Sequence, residues 1–276
     1  MYAVVLHSIV PVRSEPREGA EQSTQLLFGE LCRITESLPR WYKIRNEADG
    51  EEGYVDYKMI TPMSDDEYAT YAKAVTSATA RVMLPMTYAV SENNQQTLPL
   101  TLGTLLPNYC NGQFEVLGVS FRIDPAAVAQ QALPMNPNTL MQATRFLLNT
   151  PYLWGGKNAL GLDCSGLTQT VMSLFGIRLP RNASQQVNCG EQVKSLSMTQ
   201  PGDLVFFDHA DTDSNGSLPH NCSGDTRITH VGLLLDSERV IHCSGRVKIE
   251  HIDERGILST ERQGYTHHLA AIKRMQ

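Results

Sequence analysis

The hydrophobic pattern changes its period near residue 136, and that change restricts the chain to folds that join two kinds of layer. Before it, short apolar runs at 26–34, 41–45 and 54–56 alternate with polar turns, and 48–53 reads as a Gly-containing hairpin turn. About five short strands in about 60 residues predict a small β-barrel over 1–62. The acidic opening Asp65, Asp66, Glu67 makes 63–76 a helical linker. Apolar runs at 80–84, 98–106 and 114–119 then predict a second small β-domain over 77–125.

The remainder, 126–276, reads differently. Leu140, Met141, Thr144, Leu147 and Leu148 fall on one face of a helix closed by Thr150-Pro151. A second helix follows Asp163, with Cys164, Leu167, Val171, Met172 and Phe175 on one face and Gly176 as its stop. A third, short helix starts after Asn182. Strands are then expected at 203–207, 228–235 and 239–242, with the hydrophilic stretch 208–227 as a long loop. Helices first and strands afterwards give an α+β fold.

Composition excludes several classes. With 23 Lys and Arg against 29 Asp and Glu, the net charge is −6, so nucleic acid is not an expected partner. No apolar run approaches the roughly 18–20 residues needed to cross a bilayer, so no membrane partner is expected either. The amino terminus shows neither a basic n-region nor a small-residue cleavage site. Either the protein is cytoplasmic or a leader has been removed. The six cysteines are widely spaced, with no C-x-x-C pair, and read as free thiols.

A nucleophilic cysteine works as a thiolate, and a helix N-terminus favours negative charge. Cys164 lies at such a start, and the small Ser165 and Gly166 keep the corner open. His230 stands within an apolar strand, where an imidazole needs a reason to be. Asp236-Ser237-Glu238 is a tight turn, so the two flanking strands pair antiparallel, and the even-numbered His230 and His242 can share a face. Cys, His and a third polar group are the triad logic of acyl transfer. Taken singly, each has a plainer reading: a small buried thiol, a satisfied core histidine, a helix cap at Asp163. The three in this order outweigh those readings.

Five blocks make the resemblance specific: Pro151-Tyr152-Leu153-Trp154-Gly155-Gly156, Leu162-Asp163-Cys164-Ser165-Gly166-Leu167, Pro201-Gly202-Asp203-Leu204-Val205-Phe206-Phe207, Thr229-His230-Val231-Gly232 and Ile241-His242. In that order they resemble the NlpC-type cysteine peptidases, over about half the chain. The resemblance implies a papain-like carboxy-terminal domain, with Cys164 as nucleophile, His230 as base, His242 as the orienting third member and Tyr152 near the oxyanion site. Trp154 is expected to pack.

The amino-terminal segments Val12-Arg13-Ser14-Glu15-Pro16, Gln25-Leu26-Leu27-Phe28-Gly29-Glu30, Trp41-Tyr42-Lys43-Ile44 and Gly53-Tyr54-Val55 look like a bacterial SH3-like domain. That pairing is similar to the γ-D-glutamyl-L-diamino acid endopeptidases of murein recycling. It implies hydrolysis of the γ-D-Glu–diamino acid bond in murein-derived peptides with a free N-terminal L-Ala. The substrate residues it implies are Asp163, Ser165, Ser184, Glu21 and Tyr54, with Tyr57 as a substitute for Tyr54, because Gly50-Glu51-Glu52-Gly53-Tyr54 departs from the family's turn. A monomer without cofactor or metal is expected: His209, His220 and Cys222 match no zinc spacing. A less selective murein hydrolase, an amide transferase and an idle peptide-binding protein are the competing readings.

Overall fold

A computed structural model describes residues 1–209 and 228–275. The first seven strands are β1 (Tyr2–Val4), β2 (Ile9–Arg13), β3 (Gln22–Leu27), β4 (Leu31–Ser37), β5 (Trp41–Asn46), β6 (Glu52–Asp56) and β7 (Thr61–Met63). They form one antiparallel sheet in the order β3-β2-β6-β5-β4-β1-β7 around Val10, Val12, Leu26, Ile44 and Val55. The strand β3 lies at its edge, and an uncovered edge is a row of unpaired backbone groups. Here the carboxy-terminal half covers it.

Helix α1 (Asp65–Ser77) begins in a capping box: the Ser64 hydroxyl accepts from the Glu67 N–H, and the Glu67 carboxylate accepts from the Ser64 N–H. It is no free linker. Tyr68 stacks on Tyr2 at 3.5 Å, and the buried Tyr71 donates to the Gly29 carbonyl.

Next come β8 (Arg81–Val82), β9 (Met86–Ser91), β10 (Thr97–Thr101), β11 (Gln113–Val116), β12 (Val119–Ile123) and β13 (Val128–Ala129). Four of these make a sheet in the order β10-β9-β12-β11, and β13 pairs with β8, which carries the unit past residue 125. The two β-units share a core. Phe28 meets Phe114 and Phe121 edge-on, and Val4, Leu31 and Met63 join the same cluster. Small units bury too little surface alone, and a common core relieves that deficit.

In the carboxy-terminal half, α2 (Pro137–Thr144) runs into a short 3₁₀ turn that buries Leu147. The ribbon β14 (Lys157–Asn158) and β15 (Gly161–Leu162) leads into α3 (Cys164–Leu174), followed by α4 (Ala183–Gln186). The last sheet comprises β16 (Glu191–Gln192), β17 (Leu204–His209), β18 (Ile228–Leu234), β19 (Arg239–Ser244), β20 (Arg246–Asp253), β21 (Gly256–Ser259) and β22 (Gly264–Arg274). Its order is β16-β22-β17-β18-β19-β20-β21, and β21 pairs again with β22, so the sheet closes on itself. Helix α3 packs on β18 and β19. The sequence predicts one buried face for it, yet nearly every residue is buried, because the β-units cover the other side: Gln169 donates to Asp49, and Gly103 lies against Thr170 and Ser173. Among the described residues no helix is long and apolar enough to cross a membrane. From residue 210 the expected 208–227 loop, with His220 and Cys222, lies outside the described residues.

Candidate active site

The site is built where the start of α3 meets β18. Asp163 caps the helix, its carboxylate accepting from the Gly166 N–H at 2.7 Å. Only glycine fits at 166, because a Cβ there would stand 2.1 Å from the Gly156 carbonyl oxygen. The cap aims Cys164 at the sheet, where the backbone N–H groups of Val231 and Ser165 favour its thiolate. The neighbouring residue of Val231 is His230.

The hairpin expected around Asp236-Ser237-Glu238 is present. Gly232 lies opposite His242 in an antiparallel register, so His230 and His242 sit diagonally on one face. Both are buried, and His230 Nε2 lies 2.9 Å from His242 Nδ1. The chain of contacts continues beyond the expected triad. His242 Nε2 lies 2.9 Å from Glu250 Oε2, and Lys248 Nζ stands 3.3 Å from the same oxygen. His267 stacks on His230 with ring centroids 4.2 Å apart.

Electrostatics set the resting state. Burial first, and then the Asp163 carboxylate, push the Cys164 thiol up to about 11, against the two backbone donors and Arg181. The helix start helps the sulfur, but desolvation wins, so near neutral pH it is a thiol that needs a base. Burial also holds His242 below the ordinary histidine value. Burial alone would raise Glu250, but the hydrogen bond with His242, with Ser259 and Lys248 adding to it, pulls its carboxyl down to about 2. Burial, then Cys164 and Asp163, push the Tyr152 phenol up, which keeps it a neutral O–H donor.

The Asp163 carboxylate is held from several sides. Arg181 grips it through two nitrogens, Gly155 N–H donates to Oδ2 at 2.9 Å, and Ser165 Oγ and Gly166 N–H donate to Oδ1. A carboxylate offers about four lone-pair sites, and these five hydrogen bonds fill them. Ser165 is drawn into the same cluster, accepting from Arg181 at 2.9 Å. Ser184 is exposed on α4, whereas Ala183 is the residue that packs with Cys164 in the core. Trp154 corrects an expectation: it is 59% exposed. Its carbonyl, not its indole, carries the contact, accepting from Gln22 Nε2 at 3.1 Å.

The amino-terminal barrel docks beside this cluster through β3. Gln25 Oε1 accepts from the Lys157 N–H and from Asn158 Nδ2, and Thr24 Oγ1 accepts from Arg181 Nε. Gly155, at φ +71°, lies so close to the Gln22 backbone that a Cβ would stand 2.4 Å from its oxygen. Glu21 is exposed just before Gln22. Tyr54, half-buried, pairs across the sheet with Arg13, which pairs with Gln22, so Tyr54 and Gln22 share a face. Tyr57 is exposed in the turn after β6.

Sequence reasoning gave no role to Arg181, Lys157 or Glu250. For Glu250 a signal existed: after the turn at Gly245, the even positions of β20 continue the face that carries His242.

Residues 149–266 match the NlpC/P60 family, and residues 12–59 match the bacterial dipeptidyl-peptidase Sh3 domain. A Bacillus subtilis protein named gamma-D-glutamyl-L-lysine dipeptidyl-peptidase is 26% identical over 79% of this chain and 71% of its own. A Bacillus cereus protein of the same name is 27% identical over 75% of this chain and 66% of its own. A crystal structure of an NlpC/P60 family protein from Bacillus cereus superimposes with a TM-score of 0.78 at 19% identity, covering 99% of both chains. An NlpC/P60 endopeptidase from Photobacterium damselae gives 0.69 at 16% identity, over 98% of this chain and 70% of that one. This chain carries an NlpC/P60 cysteine-peptidase domain behind a bacterial SH3 domain.

Proposed function

We propose that the protein hydrolyses the γ-D-Glu–diamino acid amide of murein-derived peptides with a free N-terminal L-Ala, releasing L-Ala-γ-D-Glu. The observation that carries this is the buried Cys164 at the start of α3, packed against the strand β18 that carries His230, itself already joined to His242. The names of the two Bacillus relatives support the bond.

In this reading His230 takes the thiol proton as the sulfur attacks the γ-carbonyl, and the Tyr152 hydroxyl and backbone N–H groups at the helix start hold the oxyanion. His230 returns the proton to the departing amine. It then takes a proton from water, which cleaves the thioester and frees L-Ala-γ-D-Glu. The carboxy-terminal domain is read as papain-like. The barrel edge at β3 closes one end of the cleft, and recognition of the substrate ammonium falls to Glu21, with Tyr54 on the face shared by Gln22. A longer stem carries no ammonium at that point and leaves the carboxylate unpaired.

Product analysis by mass spectrometry tests this, using synthetic L-Ala-γ-D-Glu-diamino acid peptides with free and acetylated ends beside purified sacculi. Free peptides should be cleaved, acetylated ones poorly and sacculi hardly at all. Cys164→Ala should abolish turnover with an unchanged circular dichroism spectrum. Turnover retained in that variant, or sacculi digested in preference to the free tripeptide, refutes the proposal.

A further inference from the structure

Glu250 is buried at a point where a carboxylate is expensive to desolvate, and one of its oxygens is aimed at His242. The chemistry of the groups settles which way the protons run along this chain. An ionised carboxylate only accepts hydrogen bonds, so at the 2.9 Å contact His242 Nε2 must carry the proton. In a neutral imidazole the other nitrogen is then bare, so His242 Nδ1 accepts, and His230 Nε2 must be its donor at 2.9 Å. His230 in turn is left with Nδ1 as its lone-pair nitrogen, the only one of its two that can receive a proton.

We propose that Glu250 is a positioning residue that fixes the tautomer of the His242–His230 pair and so keeps the lone pair on His230 Nδ1, the form in which that nitrogen can act as a base toward Cys164. The inference rests on the reading of Cys164 and His230 as nucleophile and base. Without an obligate acceptor at 250, His242 is free to protonate Nδ1. His230 Nε2 must then accept, its proton moves to Nδ1, and the ring presents N–H where a lone pair is required. A side-chain amide has the same outcome. Lys248 Nζ, 3.3 Å from Glu250 Oε2, holds the amide oxygen and turns the NH₂ toward His242. Lys248 lies directly opposite His242 in the β19–β20 register, so it is placed to keep the carboxylate ionised and still. A serine-protease triad loses about 10⁴ in kcat when its aspartate becomes an amide and the tautomer reverses, which sets the scale.

The test compares wild type, Glu250→Gln and Glu250→Leu by two readouts that need no peptide substrate. Long-range ¹H–¹⁵N correlation spectra of histidine-labelled protein should show His242 as the Nε2–H tautomer in the wild type, and this signature should be lost in both variants. Alkylation of Cys164 by iodoacetamide near pH 7 should slow at least about tenfold in both, while the exposed Cys110 is unchanged as an internal control. A purely structural carboxylate would leave both readouts unmoved in the isosteric Glu250→Gln variant. A His242 that stays Nε2-protonated there, or a Cys164 rate within twofold of wild type, overturns the inference. If Glu250→Leu fails to fold, Glu250→Gln decides alone. A protein inert toward every murein peptide would refute the proposed function and leave these readouts intact.

Discussion

Arg181 and Asp163 meet through two roughly parallel contacts, NH1 to Oδ1 at 3.0 Å and NH2 to Oδ2 at 2.5 Å, with Arg181 only 1% exposed. The third guanidinium nitrogen reaches Thr24 of the first barrel, so one side chain fastens the residue before Cys164 to the neighbouring domain. Removing one partner of a buried pair strands the other charge, which costs about 3–5 kcal/mol. Arg181→Ala should lose about that much in urea denaturation. Arg181→Lys should recover little of it, because a point charge cannot serve both carboxylate oxygens, Ser165 and Thr24 together. A lysine variant of wild-type stability would contradict the forked geometry.

Lys157 makes the second tie between the halves. Its ammonium lies 2.8 Å from Glu30 and 3.9 Å from Asp49, both in the first barrel unit. Lys157→Met should destabilise by a few kcal/mol and split the thermal transition, as the barrel loosens before the catalytic domain. Adding Glu30→Gln should restore part of the loss, since the stranded carboxylate is then gone. Calorimetry on the single and double variants checks both statements, and additive losses would argue against a coupled pair.

Cys164 carries a pH signature. Its thiol is raised to about 11 by burial and by Asp163, so below that pH the sulfur stays protonated unless a base removes the proton. With His230→Ala, alkylation of Cys164 should climb about tenfold per pH unit from 7 to 10 and still be rising there. Wild type should react faster at pH 7 and change less steeply. A plateau at pH 8 to 9 in the variant would show a far more acidic thiol than this burial permits.

Trp154 presents its ring to solvent and docks only through its carbonyl. Trp154→Ala should therefore shift stability by no more than about 0.5 kcal/mol. Its place beside Gln22, at the closed end of the proposed cleft, predicts a several-fold rise in KM for the tripeptide with kcat nearly kept. A large drop in melting temperature instead would mean that the indole packs after all.

Several features were legible from residues alone. The parity of His230 and His242 across a tight turn placed both on one face, and the register bears this out. The Asp163 cap, the start of α3 at Cys164 and the stop at Gly176 follow from local rules, and all three are present. The helical character of 63–76 was also visible, but its docking was not: the sequence does not show that Tyr68 and Tyr71 reach back to Tyr2 and Gly29. The surroundings of Asp163 were hidden for the same reason. Its charge is apparent in the sequence, whereas the guanidinium that neutralises it comes from position 181.

By itself the sequence determined what is periodic or local: several of the strand segments, where the helix of Cys164 begins, and that two histidines face the same way. These depend on side-chain spacing and capping within a few residues, and such rules hold before the chain is folded. Only the tertiary structure decided that Arg181 occupies Asp163, that Glu250 completes a line through His242 to His230, and that β3 closes against Lys157 and Asn158. Those pairings join residues far apart in the chain, and which donor meets which acceptor is set by how the finished layers pack, since buried polar groups left without partners are too costly to keep.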